Sequence, residues 1–263
     1  MTHSTTPSPG LITVAALNDL SGVRHAFFTR EGGYSAGGYG SLNCGLMSGD
    51  DRAKVEANRA LAVAQLDLAA DRLAAVRQVH SAKPVIVDDA WPPAEWPEAD
   101  AMVTKRRGIA LGVLGADCAP VLFADREAGV IAAAHAGWRG ALSGILDSTL
   151  RAMVGLGAKP EKVVAVVGPC IAQASYQVGA DFPAPFLAAD PDNACFFAAD
   201  GDRFRFDLPG FIAARLVKLK IGDVSRLPAD TFRQEDRFFS HRRSTLAGET
   251  ECGRQLSAIM LEP

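Results

Sequence analysis

The chain has 263 residues, 48% of them hydrophobic and 22% charged, which is enough apolar matter for one large core. Its 27 basic and 30 acidic residues leave a formal charge of −3, which excludes a basic surface broad enough to track a nucleic acid backbone. The longest apolar runs stop short of the roughly 18 residues a membrane span needs, no signal-peptide pattern opens the chain, and five cysteines without framework spacing read as reduced thiols, so a cytoplasmic protein is expected.

Residues 1–10 are rich in Ser, Thr and Pro with nothing to bury; they read as a disordered tail in which His3 is a bystander, and residues 11–263 read as a single domain. His25 to Thr29 predicts a strand that runs through Arg30 into a glycine-rich segment, Gly32 to Gly49. That segment has neither Gly-x-Gly-x-x-Gly nor Walker spacing, so nucleotide-loop readings fail. With Arg30, Ser41 and Asn43 among its glycines, it fits a substrate-lining loop as well as an ordinary surface loop. Asp50 to Leu66 sets Val55, Leu61, Ala62 and Leu66 on one stripe behind acidic residues, the pattern of an amphipathic helix. Leu73 to Val79 and Val85 to Asp88 predict strands. Trp91 to Pro97 is too proline-dense for regular structure and reads as a surface loop with packed aromatics, a lid being the alternative.

From Ala101 to Ala134 the chain is almost continuously apolar, interrupted by small turn sequences. Asp117-Cys118-Ala119-Pro120 follows the run Ile109 to Leu114, His135-Ala136-Gly137-Trp138-Arg139-Gly140 follows Val130 to Ala134, and His80 closes the run from Leu73. Short apolar runs bounded by turn residues predict buried strands, which sets His80, Cys118 and His135 at strand ends. A thiolate and two imidazoles suffice to hold a catalytic zinc with its fourth position open, and one copper would compete for the same donors. Taken singly, each of these residues is as readily an ordinary core residue, since free Cys packs as a small hydrophobe. The turn chemistry of Asp117, Pro120, Gly137 and Gly140, however, has no use at a plain core position.

Trp138 to Val154 predicts a helix whose N-terminus faces these ligands and would suit an anion such as phosphate. Val163 to Val167 predicts a strand before Cys170, which is assigned to the core or a pocket wall; Phe204 to Asp207 predicts another, and Pro209 to Lys220 a helix. Strands and helices without regular βαβ alternation predict an α+β fold of two packed mixed β-sheets flanked by helices, in a single domain.

Gln78-Val79-His80, Ala116-Asp117-Cys118-Ala119-Pro120, His135-Ala136-Gly137-Trp138-Arg139-Gly140, Gly168-Pro169-Cys170-Ile171 and Phe238-Phe239-Ser240-His241-Arg242-Arg243 resemble the signature blocks of the laccase-domain family, also called the multicopper polyphenol oxidase or purine nucleoside phosphorylase family. The resemblance runs from about Leu11 to Leu261. It implies one zinc per chain on His80, Cys118 and His135, and phosphorolysis of purine nucleosides (adenosine, inosine, methylthioadenosine) with adenosine deamination as a related activity. The implied partners are a small-molecule nucleoside and phosphate, with the chain a monomer or weak homodimer. Thr231-Phe232 departs from the family's usual Cys-Thr, and Ser244-Thr245 from its acidic-Gly pair.

Within this reading Asp117 is either a proton shuttle or a carboxylate orienting a histidine ligand. Arg243 is the candidate for gripping phosphate or sugar, and Arg30, Asn43, Gln78 and Arg139 are candidate substrate contacts. A four-copper oxidase needs on the order of eight or more imidazoles, and five histidines exclude it. A cysteine hydrolase on Cys118 and His135 would need no metal. Zinc of the cytidine-deaminase type lacks its His-x-Glu and Cys-x-x-Cys signature here. Hydrolytic editing of an aminoacyl group on a peptidoglycan precursor, polyphenol oxidase-type activity with a single copper, or a non-catalytic binding module are the remaining alternatives.

Overall fold

The computed structural model describes residues 7–263. The first six positions of the expected tail, His3 included, lie outside the described residues. Pro9 is buried, and Gly10 exchanges backbone hydrogen bonds with Glu31 and Thr29, so ordered structure begins before Leu11.

In chain order the strands are β1 (Leu11–Ile12), β2 (Val23–Phe28), β3 (Leu73–Ala74), β4 (Pro84–Ile86), β5 (Ala101–Thr104), β6 (Ala110–Gly115), β7 (Ala119–Asp125), β8 (Val130–Ala136), β9 (Val164–Val167), β10 (Gln177–Val178), β11 (Phe197–Asp200), β12 (Arg203–Phe206), β13 (Asp223–Arg226) and β14 (Gln255–Leu261). The α-helices are α1 (Ala15–Asn18), α2 (Arg52–Ala64), α3 (Trp138–Ser143), α4 (Ile145–Gly155), α5 (Ala184–Ala189), α6 (Leu208–Lys218) and α7 (His241–Leu246). A five-stranded sheet runs β1-β2-β14-β6-β3, a six-stranded sheet runs β13-β9-β7-β8-β5-β4, and a small sheet runs β10-β12-β11. Both large sheets are mixed: β3 pairs parallel to β6, and β4 and β9 have parallel partners in β5 and β13. The α+β reading therefore holds.

Alternation along the central strands explains the layering. Val121 and Phe123 of β7 join the core shared with α4 and α6, while Leu122 and Ala124 face the five-stranded sheet with Phe27, Leu111 and Ile259. Buried on both faces, β7 and β8 read as unbroken apolar runs. Each large side chain enclosed this way, such as Phe123, contributes roughly 2–3 kcal/mol. On the outer face of the five-stranded sheet, α2 lays Ala62 and Val63 against Phe28, Leu256 and Met260. No helix among the described residues is long and apolar enough to cross a membrane.

Three expectations need correction. The strand predicted from Leu73 to Val79 shortens to β3, because Arg77 turns away to bond with Pro97 and Ala99 and the backbone of His80 is left-handed (φ 59°). The helix predicted over Trp138 to Val154 is two helices, since Gly144 adopts φ 92°, a conformation open to glycine at little cost. The acidic start of α2 reduces to Asp51, whose carboxylate caps the helix by accepting from the Ala53 amide. Trp91 to Pro97 packs its aromatics as expected, but Pro93–Glu95 form a short 3-10 helix within it: Trp91 donates to the Ala75 carbonyl, and the Arg59 guanidinium lies 5.2 Å from the Trp96 ring centre.

Candidate metal centre and its cavity

The strand β6 belongs to one large sheet and β7 to the other, so the turn Ala116-Asp117-Cys118 carries the chain across. Asp117 makes the crossing with φ 90°. Cys118 consequently lies directly before β7 rather than closing the run of β6, and His135, near the end of β8, stands opposite Pro120 in the ladder. His80 enters from its own tight turn. The nearest ligand atoms of the three residues all lie within 4.8 Å of one another; His80 Nε2 is 3.8 Å from Cys118 Sγ, and the two imidazoles meet edge to face at 4.9 Å. A tetrahedral ion with bonds of about 2.0–2.3 Å holds N and S ligands roughly 3.5 Å apart, so this donor set could bind a metal with little adjustment. Gly137 permits the approach. A Cβ there would lie 2.8 Å from Cys118 Sγ and 2.9 Å from His80 Cδ2.

Asp100, fully buried just before β5, fixes two of the three ligands. Its Oδ1 accepts from His135 Nδ1 at 2.9 Å and from the His80 amide at 3.0 Å, while Oδ2 accepts from the amides of Ser81 and Val79 and the Ser81 hydroxyl. Engaging Nδ1 of His135 leaves its other nitrogen for a metal and fixes the ring orientation. Burial pushes the Asp100 carboxyl up, but hydrogen bonds from His135 and Ser81 outweigh it and hold it at about 2. Burial also pushes the Cys118 thiol up; the neighbouring His135 and His80 prevail and favour the thiolate, the form a metal binds. Reciprocally, burial lowers His135, and the charges of Cys118 and Asp100 raise it. Asp100 was not a candidate from the sequence; its one signal is an acid placed directly before a buried strand.

The three donors open onto a cavity of about 730 Å³. Val76, Leu114, Ile171, Trp138 and Tyr176 contribute apolar and aromatic wall, and Arg139 and Arg242 bring positive charge to it. The Arg139 guanidinium lies 4.4 Å from the Trp138 ring centre, and that of Arg242 lies 5.3 Å from Tyr176 while donating to the Gln177 carbonyl at 2.6 Å. Stacking of this kind holds a guanidinium in place while its edge remains free for an anion.

The other candidate residues are distributed differently from expectation. Gln78 lines the cavity, but its amide is engaged by the backbone N–H and C=O of Leu114, at 2.8 Å each. Arg30 and Asn43 do not line it. Arg30 donates to the carbonyls of Gly40 and Glu235 and stacks on Phe239; buried Asn43 bonds Ser48, Asp50, Gly45 and Arg254, and so shapes the loop whose Gly45, Met47 and Ser48 border the cavity. Arg243 is likewise displaced from its expected phosphate role, because its guanidinium donates to the carbonyls of Thr231, Phe232 and Phe238 at 2.6–2.9 Å. Ser240 caps α7, and successive residues beyond a cap point about 100° apart, so Arg242 reaches the cavity and Arg243 ties down its supporting loop.

Asp117 borders the cavity, and its carboxylate bonds no histidine. Its Oδ1 accepts from the Thr231 hydroxyl at 2.6 Å, and Oδ2 accepts from the Ser240 hydroxyl at 3.0 Å and the Arg242 amide at 2.6 Å. Asp100 does the orienting instead. The helix expected after Gly137 begins beside the ligands, but α3 has only six residues, and the cavity's positive charge comes from arginine side chains. Cys170 is a core residue as assigned, its thiol pushed far up by burial.

Residues 24–262 match the family model described as multi-copper polyphenol oxidoreductase laccase. The chain belongs to this family. It is 42% identical over 254 residues to a Deinococcus radiodurans protein named purine nucleoside phosphorylase, covering 97% of this chain and 94% of that one. Among solved structures, a Neisseria meningitidis protein superposes with a TM-score of 0.82 at 35% identity, covering 92% of this chain and 96% of the other. The Bacillus licheniformis hypothetical protein YfiH superposes with a TM-score of 0.88 at 27% identity, over 97% of each chain. The family's descriptive name mentions several coppers, whereas the metal-capable cluster among the described residues of this member is the single His80, Cys118, His135 set.

Proposed function

We propose that the chain is a zinc-dependent purine nucleoside phosphorylase, acting in the cytoplasm on adenosine, inosine and methylthioadenosine, with adenosine deamination as a side activity. The observation that carries the reading is the convergence of His80, Cys118 and His135 in the wall of a cavity that also presents Arg139 and Arg242. The name of the 42% identical relative supports it. One thiolate and two imidazoles suit zinc, with copper the competitor by raw affinity. When bound, the ion supplies a Lewis acid at the cavity wall.

The chain's own groups do the rest. Arg242 and Arg139 grip the phosphate oxygens, each guanidinium held by its aromatic partner. Tyr176, Trp138 and Ile171 receive the flat purine and exclude water from it. Asp100 keeps His135 oriented throughout. As a phosphate oxygen bonds to the ribose C1′, the bond from C1′ to the purine nitrogen breaks, its electron pair leaves with the base, and the base takes up the proton that the phosphate gives up. The products are free base and ribose 1-phosphate.

Product analysis by chromatography tests this. With zinc-loaded protein and inosine, base release is expected only when phosphate is present and in equal amount with ribose 1-phosphate. Base release that ignores phosphate would overturn the reading in favour of hydrolysis.

A further inference from the structure

We propose that Asp117 is a positioning residue for the phosphate subsite, acting through Arg242, a role that rests on the phosphorolytic reading above. One turn carries both the carboxylate and the thiol. Asp117 precedes the metal-capable Cys118, and its left-handed backbone lets the carboxylate and the thiol leave that turn separately. The carboxylate meets three donors from a distant segment: the Thr231 hydroxyl, the Ser240 hydroxyl and the Arg242 amide. The Asp117 carbonyl accepts from the Ile171 amide at 3.0 Å, which fixes the turn from a further side.

Arg242 is thereby held at both ends. Its amide is bound to Asp117, and its guanidinium is bound to the Gln177 carbonyl and stacked on Tyr176. The path from thiol to guanidinium thus runs through a single carboxylate that spans 125 positions of sequence. A carboxylate accepts all three as they stand, whereas an amide could keep its oxygen on the Ser240 hydroxyl and the Arg242 amide only by turning its N–H groups onto the Thr231 hydroxyl, reversing that bond and giving up the charge. Thr231 is fully buried with its hydroxyl on Asp117, which gives that residue a use where the family commonly has cysteine.

For phosphorolysis the spacing matters because the phosphate held by Arg242 must reach C1′ of a nucleoside lying against the metal ligands. A displacement of about 1 Å from the reactive arrangement lowers rate by about 100-fold. Asp117 therefore governs how phosphate is presented and leaves the metal donors untouched.

A double-mutant cycle on the zinc-loaded full chain tests this, with inorganic phosphate binding measured by calorimetry, phosphate and inosine KM by turnover, and zinc by elemental analysis. Arg242→Ala is expected to weaken phosphate binding about 100-fold and Asp117→Asn at least tenfold. The double variant should be no weaker than Arg242→Ala. Asp117→Asn should raise the phosphate KM with inosine KM nearly constant and about one zinc per chain retained. Wild-type phosphate affinity in Asp117→Asn, or a double variant showing the product of the two single effects, would overturn the proposal. Should Asp117→Asn fail to fold, Thr231→Val removes one donor of the same clasp and should weaken phosphate severalfold without adding to Arg242→Ala; an additive or absent effect counts against the proposal equally. Wild-type protein that binds no phosphate, or releases base without it, would instead remove the phosphorolytic reading, and this inference with it.

Discussion

Asp100, buried behind His80 and His135 on the sheet side, and Asp117, which borders the cavity on its loop side, each gather several donors onto one carboxylate, yet the donors differ in kind. Asp100 takes one imidazole N–H, three amides and a hydroxyl from residues 79–81, which precede β4, and from residue 135 of β8, both strands of the six-stranded sheet. Asp117 takes two hydroxyls and one amide from residues 231–242, a stretch outside the large sheets. One acid is thus built into the scaffold and orients His135 of the metal-capable set. The other fastens a loop to the scaffold and sets an arginine. Two acids close to one cavity thus differ in what they hold because different elements stand behind them, and on the proposed function the sheet side would be read out through metal content and the loop side through the anion.

The largest expected effects fall on the sheet side. Cys118→Ala or His135→Ala should lose the zinc and lower activity by about a thousandfold or more, since three donors are the minimum for retaining a catalytic ion. Circular dichroism should still show a folded chain, because a core of this size does not depend on one ion as a zinc finger does. Elemental analysis decides the matter: stoichiometric zinc in Cys118→Ala would free that thiol for a nucleophile's role. Next in size, Asp100→Asn should weaken zinc binding 10- to 100-fold, as removal of a carboxylate behind a histidine ligand typically does. With zinc saturating, its phosphate KM should match wild type. A raised phosphate KM would break the separation of the two sides.

Much of the sheet side was legible in the sequence. β7 and β8 are buried on both faces, so they appear as unbroken apolar runs, and Cys118 and His135 stand out as reactive residues at the limits of those runs. Asp100 was not legible, because an acid in Glu98-Ala99-Asp100 beside a proline-rich connector looks like solvated charge until the sheet buries it completely. The loop side hid almost everything. Asp117 and its partners lie 114 to 125 positions apart, beyond any local pattern. Arg242 and Arg243 are adjacent identical residues that a single helical step sends to opposite duties, and α7 is too short to show an apolar period. Glycine inside a helical pattern is tolerated at modest cost, so Ser143-Gly144-Ile145 gave no warning that Gly144 would adopt the left-handed region.

The smallest expected effect tests the loop side directly. Ser240 serves two partners with one hydroxyl: its oxygen accepts from the Arg243 amide at 3.2 Å as the cap of α7, and its hydrogen goes to Asp117. In Ser240→Ala both contacts vanish. Loss of such a cap costs about 1 kcal/mol, which in a chain of this size lowers the unfolding temperature by about 2–4 °C. The clasp survives in part, because the Thr231 hydroxyl and the Arg242 amide remain on Asp117. The phosphate KM should therefore rise only a few-fold, less than in Asp117→Asn, and zinc should stay at about one per chain. Scanning calorimetry, a phosphate titration and elemental analysis read the three quantities separately. Zinc loss in this variant would mean that the loop holds the metal turn as firmly as the sheet does, and the division between the two aspartates would no longer stand.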